Sequence, residues 1–144
     1  MATDWLPKDR VVVPVDFSDE SFAALDTALK LVSGAAHLSL IYVLPVYDPA
    51  EPDVVWTTLD DEARRHHAQL ALQERLSDAK YQGIKTVIAF GNPGHEIAAF
   101  APAERAELIV LSSHGRTGLT RLLIGSVAER VVRLAHCPVL VLRK

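Results

Sequence analysis

Glu107-Leu108-Ile109-Val110-Leu111-Ser112 leads into Ser113-His114-Gly115-Arg116-Thr117-Gly118, and after six more residues comes Gly125-Ser126-Val127-Ala128-Glu129. Residues 107–112 form an apolar run of strand length. Small residues at 112, 115, 118 and 125 interrupt any periodic pattern. Residues 126–135 then read as a helix, and Pro138-Val139-Leu140-Val141-Leu142 as a further strand. Strand, Gly-rich connection, helix and strand make up the repeating unit of a parallel sheet.

Working outward, the same alternation fills the rest of the chain. Residues 10–15 are a continuous apolar run and a first strand. Phe22, Leu25, Leu29 and Val32 fall at helical spacing over residues 19–33, with Ser18 as N-cap and Gly34 as stop. Residues 37–44 give a second strand. Residues 45–58 carry Pro45, Pro49 and Pro52 and read as a long irregular loop, a candidate lid over a ligand pocket. The longest helix spans residues 59–81, with Ala68, Leu72, Leu76 and Ala79 on one face, and residues 84–90 are a third strand. Asn92-Pro93 supplies an N-cap followed by proline at the first helical position, and that helix ends near Pro102. Five strands alternating with four helices predict an α/β, doubly wound, Rossmann-like parallel sheet with helices on both faces and strand order 3-2-1-4-5. Residues 1–144 form one domain in this reading. In such sheets a ligand sits beyond the carboxyl ends of the strands, where the strand order reverses.

Composition narrows the function. The chain has 144 residues, 49% of them hydrophobic, yet no apolar run approaches the roughly 20 residues of a membrane span. Its first ten residues carry neither an apolar core nor a small-residue cleavage site. Cys137 is the single cysteine, which excludes an internal disulfide and argues against a cysteine-based zinc site. A cytoplasmic protein without membrane contact is the expectation. The net charge of −3 lacks the basic excess that holds a nucleic-acid backbone.

The Gly-rich segment carries the chemistry. Glycines let a backbone approach a ligand closely, and a helix N-terminus favours an anion. Each exposed dipole contact contributes only about 0.3–1 kcal/mol, so tight binding needs several amides and a buried base. Ser126-Val127-Ala128-Glu129 fits a capping box at the start of the last helix. The segment is not a Walker A loop, because no Gly-Lys-Ser/Thr follows at the right spacing, and it lacks Gly-x-Gly-x-x-Gly.

Gly115, nine residues, and then Gly125-Ser126 resemble the Gly-x2-Gly-x9-Gly-Ser/Thr pattern of the universal stress protein family. Ser112 stands where the family's first glycine falls. Val13-Pro14-Val15-Asp16-Phe17-Ser18 resembles that family's first strand and its Asp, and residues 135–142 resemble its last strand. The likeness spans essentially the whole chain. It implies a stress-response regulator that binds ATP or AMP, with Mg2+ or Mn2+ as an ion that could accompany the phosphates. Carried over by position, Asp16 and Val43 contact adenine, beside Pro14 and Val15. Leu111 and Ser112 lie by the base and ribose. Gly115, Gly125, Ser126 and Val127 hold phosphate, with His114 and Arg116 close by. The resemblance also implies a symmetric homodimer through the edge strand 138–142, since an uncovered apolar edge is a pairing surface.

Several positions have plainer readings. Asp16 also suits a helix-start carboxylate. At Ser112, a requirement for positive φ would cost on the order of 1 kcal/mol, whereas a requirement for a small side chain would cost little. His66 and His67 are adjacent on a helix and point apart, which fits a solvated face. His95 sits near a helix start, and Cys137 reads as a buried thiol. No carboxylate pair or lysine is placed for efficient phosphoryl transfer, so at most slow ATP hydrolysis is expected. A phosphoacceptor receiver domain is rejected, because Gly91-Asn92 follows the third strand where such a domain needs an Asp.

Overall fold

The computed structural model describes residues 4–46, 60–114 and 124–143. Strands β1 (Val11–Val15), β2 (Leu38–Leu44), β3 (Lys85–Phe90), β4 (Leu108–Ser112) and β5 (Val139–Leu142) form one sheet in the order β3-β2-β1-β4-β5. Every pairing is parallel. Helices α1 (Asp19–Leu29), α2 (Asp61–Arg75), α3 (Pro93–Ala103) and α4 (Ser126–Leu134) cover both faces. The predicted doubly wound sheet and its order are therefore observed.

Alternation along the central strands builds two cores. Val11, Val13 and Val15 of β1, with Leu38, Leu40, Leu108 and Val110, pack under α1 and α2 through Phe22, Leu25, Ala28, Ala68 and Leu72. Val12, Ile41, Ile109 and Leu111 point the other way and meet Ile97, Ala101, Ala128 and Val131 of α3 and α4. Side chains of successive strand residues point to opposite faces, so a continuous apolar run such as Val11-Val12-Val13 is what a strand covered on both sides requires.

The helices begin where their caps direct. The Ser18 hydroxyl accepts from the Ser21 N–H at 3.1 Å, and the Asn92 side chain accepts from the His95 N–H at 3.2 Å with Pro93 at the helix start. Asp60 serves α2 in the same way at 2.8 Å. Three expected boundaries are corrected. α1 stops at Leu29 rather than Ser33, because Lys30 and Leu31 turn back onto Thr27 and Ala28 carbonyls. α2 stops at Arg75; Leu76 caps it, and Ala79–Tyr81 form a separate 3-10 turn started by the Asp78 side chain. The capping box at residues 126–129 does not form. Gly125 is the N-cap and has no side chain to bond, Ser126 is the first helical residue, and Glu129 pairs with Arg133 at 2.6 Å.

The two sheet edges differ. Backbone groups on a parallel strand face alternate neighbours. The Gly91 N–H donates to Leu44 of β2, so Ile88, three residues earlier, turns its carbonyl outward. Arg65 of α2 meets that carbonyl with Nη1 at 2.9 Å while stacking on Phe90, 5.0 Å from the ring centre. At the other edge, Leu142 and Pro138 accept from Ser113 and Ile109 across the β4 boundary. By the same alternation Val139 and Val141 face outward, and β5 is half-exposed throughout.

Candidate functional site

The candidate site begins with a proline. The Arg10 carbonyl accepts from Glu107 on the β4 side, so Val12 and Pro14 also face β4. Pro14 has no N–H to give that ladder, and β1–β4 pairing ends at Val12 opposite Ile109. On its other side β1 stays paired with β2 as far as Val15 opposite Tyr42. The sheet therefore parts between β1 and β4 at their carboxyl ends, where the strand order reverses.

A cavity of about 260 Å3 occupies that parting. Pro14, Val15 and Asp16 line one side, Val43 the next, and Leu111 and Ser112 the other, with Gly125, Ser126 and Val127 at the start of α4. Those nine predicted residues thus converge from four separated parts of the chain. His114 stands beside Ser113, just off the lining. Gly115 and Arg116 lie outside the described residues, as do residues 47–58 of the loop at residues 45–58 read as a candidate lid.

Local geometry explains each placement. Asp16 follows β1 and closes onto the start of α1, where its Oδ1 accepts from the Ser18 N–H at 3.0 Å and the Ser18 hydroxyl at 2.5 Å. The Asp16 N–H in turn donates to Ser21 Oγ at 3.3 Å. Asp16 is thus a helix-start carboxylate as well as a residue of the cavity wall. Phe17 between them takes φ 66°, held by edge-on contacts with Phe22 and Tyr42 whose ring centres lie 5.9 and 4.9 Å away. Such a conformation costs roughly 1–2 kcal/mol for a residue with a Cβ and turns the chain sharply at the cavity rim. Ser112 is different. It is the last residue of β4, in register with Leu142, and the described non-glycine residues at positive φ are Phe17 and Arg105. The serine in place of glycine therefore carries no backbone strain here.

The connection back from α4 is held at Ser113. This residue is 4% exposed. Its N–H donates to Leu142 of β5, its carbonyl accepts from the Gly125 N–H at 2.6 Å, and its Oγ lies 3.0 Å from His114 Nδ1. A Cβ on Gly125 would come 2.6 Å from the Ser113 carbonyl oxygen. His114 Nε2 is the buried side-chain polar atom without a hydrogen-bond partner among the described residues.

Sequence reasoning missed Ser21, Ile41, Pro93, Ile97, Ser113 and Ala128, which also line the cavity. A signal existed for some of them. Ile41 shares a face with Val43 two residues on, and Pro93 opens the helix that follows β3 at the same end of the sheet. A second, larger cleft of about 560 Å3 lies at the opposite pole, by the starts of β1, β2 and β3. It carries none of the predicted residues. Among the described residues no group of three or more His, Cys, Asp or Glu side chains is placed to hold a metal ion, and no helix is long and apolar enough to cross a membrane.

A model of the universal stress protein family matches residues 8–143. The chain belongs to the universal stress protein family. Among its relatives, universal stress protein MJ0531 of Methanocaldococcus jannaschii is 39% identical over 142 aligned residues, covering 94% of this chain and 82% of that protein. The solved structure of universal stress protein UspA from Lactobacillus plantarum superposes with a TM-score of 0.74 at 30% identity, over 97% of this chain and 100% of that one. A universal stress protein solved in complex with cAMP shares the fold, with a TM-score of 0.66 at 23% identity over 95% and 98% of the two chains. In this universal stress protein Pro14, Val15, Asp16, Val43, Leu111, Ser112, Gly125, Ser126 and Val127 line the cavity, while residues 139–142 of the resembling last stretch form the edge strand β5 away from it.

Proposed function

We propose that this universal stress protein is a nucleotide-binding regulatory protein, taking ATP or AMP in the cavity between β1 and β4 and acting as a homodimeric switch in the cytoplasm. The observation that carries the reading is the convergence of Asp16, Val43, Leu111, Ser112, Gly125, Ser126 and Val127 on one cavity. At about 260 Å3 it is just below the roughly 300–1,000 Å3 of small-molecule sites. That volume suits a base and part of a ribose, with phosphates reaching toward the start of α4. Val43, Ile41 and Leu111 offer apolar walls to a base, Asp16 an acceptor for an amino or hydroxyl group, and the amides at Ser126 and Val127 a positive helix end for phosphate. Any Mg2+ or Mn2+ would arrive with the phosphates.

Isothermal titration of the full chain with AMP, ATP and adenosine tests this. Saturable binding of an adenine nucleotide is expected, and mass spectrometry of the purified protein should reveal what it carries. Absence of binding at millimolar nucleotide would overturn the reading.

Support for the dimer comes from the outward backbone of Val139 and Val141 together with apolar residues on neighbouring α4. Val132 and Leu134 are 48% and 44% exposed. Apolar surface of this kind, beside an open strand edge, is covered by a second copy in this reading.

A further inference from the structure

We propose that the cleft at the starts of the strands is a second ligand site, independent of the nucleotide cavity. Its ligand is a small oligoanion, a molecule presenting two or more carboxylate or phosphate groups. At about 560 Å3 the cleft falls within the roughly 300–1,000 Å3 of small-molecule sites. Arg10 lines it ahead of β1, Ser39 from β2, Lys85 from β3, and Glu104 and Arg105 from the end of α3. So charged a lining calls for a charged ligand.

The first supporting observation is which of these charges are already answered. Lys85 Nζ lies 2.6 Å from Glu104 Oε1, and Ser39 Oγ donates to Glu104 Oε2 at 3.4 Å. Arg10 and Arg105 are exposed, and neither side chain has an ion pair or hydrogen bond among the described residues. Glu107 ties the start of β1 to the segment after α3. Its N–H donates to the Arg10 carbonyl at 2.8 Å, and its Oε1 accepts from the Asp9 and Arg10 N–H groups at 2.7 and 3.1 Å. Two unanswered guanidinium groups thus rise from anchored backbone, each a planar fork suited to carboxylate or phosphate.

The second observation is strain at Arg105. The Ala106 N–H donates to the Ala101 carbonyl at 2.8 Å, and the Arg105 N–H to that of Pro102 at 3.0 Å. This is a Schellman ending, in which the residue leaving the helix is usually glycine. Arg105 takes φ 55° there. A Cβ is unfavourable in that conformation, and such strained residues gather at ligand clamps. The carbonyl end of α3 is negative, and Asp9 adds its charge to the same cleft. A singly charged ion gains little against both. A ligand with two anionic groups can engage Arg10 and Arg105 together.

Titration of the full chain with citrate and with inorganic pyrophosphate separates carboxylate from phosphate ligands. Saturable binding of at least one is expected at low ionic strength, and amide spectra should show Arg10, Ser39, Lys85 and Arg105 responding. Arg10→Gln is expected to weaken binding by about ten-fold or more, in line with a lost charge-assisted hydrogen bond. Arg105→Gly should weaken it as much while the melting temperature holds or rises, because glycine suits φ 55°. Arg105→Lys keeps the charge without the fork and should fall between.

No saturable binding of either probe at millimolar concentration would overturn the proposal. So would responses confined to Ser112 and Ser126, which would place the anion in the other cavity, or affinity unchanged in both Arg10→Gln and Arg105→Gly. Failure of AMP and ATP to bind would defeat the nucleotide reading alone, since neither arginine lines that cavity.

Discussion

Gly125 has φ −63°, a value open to any residue, so the need for glycine there comes from distance. The methyl group of alanine would sit 2.6 Å from the Ser113 carbonyl oxygen, which is backbone and part of the hydrogen bond that brings α4 back to β4. Gly125→Ala should destabilise the protein by about 1–3 kcal/mol, as overpacking does, and lower nucleotide affinity, read by thermal melting and titration together. An unchanged melting temperature would show that the connection yields freely. Asp16 calls for a subtler substitution. Asp16→Asn keeps an oxygen to accept from Ser18, so the start of α1 should hold, while an NH2 group replaces an acceptor. A fall in adenosine affinity with a melting temperature near wild type is expected, and equal affinity would remove Asp16 from the base contacts. The family motif made these two residues legible in the sequence. Ser113 and the buried Nε2 of His114 were not, because only folding brings β5, Gly125 and the imidazole around one serine.

Among the elements, caps were the most legible and helix ends the least. Ser18 and Asn92 act through bonds three residues on, which local sequence specifies. The end of α2 is set by tertiary contact. Residues 79–81 keep the helical spacing that suggested a longer helix, yet they form a separate turn moored to α1, with the Tyr81 hydroxyl donating to Asp26 at 2.6 Å and Lys80 Nζ 3.4 Å from the same carboxylate. Partial burial, and then the bond to Asp26, raise the Tyr81 phenol above its ordinary value of 10.0. The hydrogen bond to Asp26 likewise raises Lys80 above 10.5. Groups whose folded values are raised stabilise fully below their unfolded values and lose that contribution as pH climbs through the folded ones. Melting temperature should therefore hold on this account through neutral pH and fall above roughly pH 10, the unfolded tyrosine value. Tyr81→Phe should cost about 0.5–1.5 kcal/mol at neutral pH and flatten the alkaline decline. An alkaline profile identical to wild type would exclude this mooring as its source.

At the scale of the molecule, the doubly wound parallel sheet was readable from alternation and the handedness of its crossovers, and the strand-order rule pointed to the reversal between β1 and β4, where a cavity is found. What opens the reversal was less visible: Pro14 withholds its donor on the side of β4, whereas the sequence shows only a proline in a strand. The two edges have unequal fates. Light scattering should return twice the chain mass for the wild-type protein, and one chain mass would remove the dimer from the proposal. Arg65→Ala should leave the pair intact and add larger species as concentration rises. An unaltered mass distribution would mean that α2 alone shields β3. Arg65, bound to Ile88 and Phe90, thus bears on stoichiometry. On the proposed pairing through β5, a sheet that could accept a neighbour on both sides would have no largest assembly, whereas one blocked at β3 would finish growing once its other side is taken, so a single guanidinium on an outer helix would set a ceiling of two.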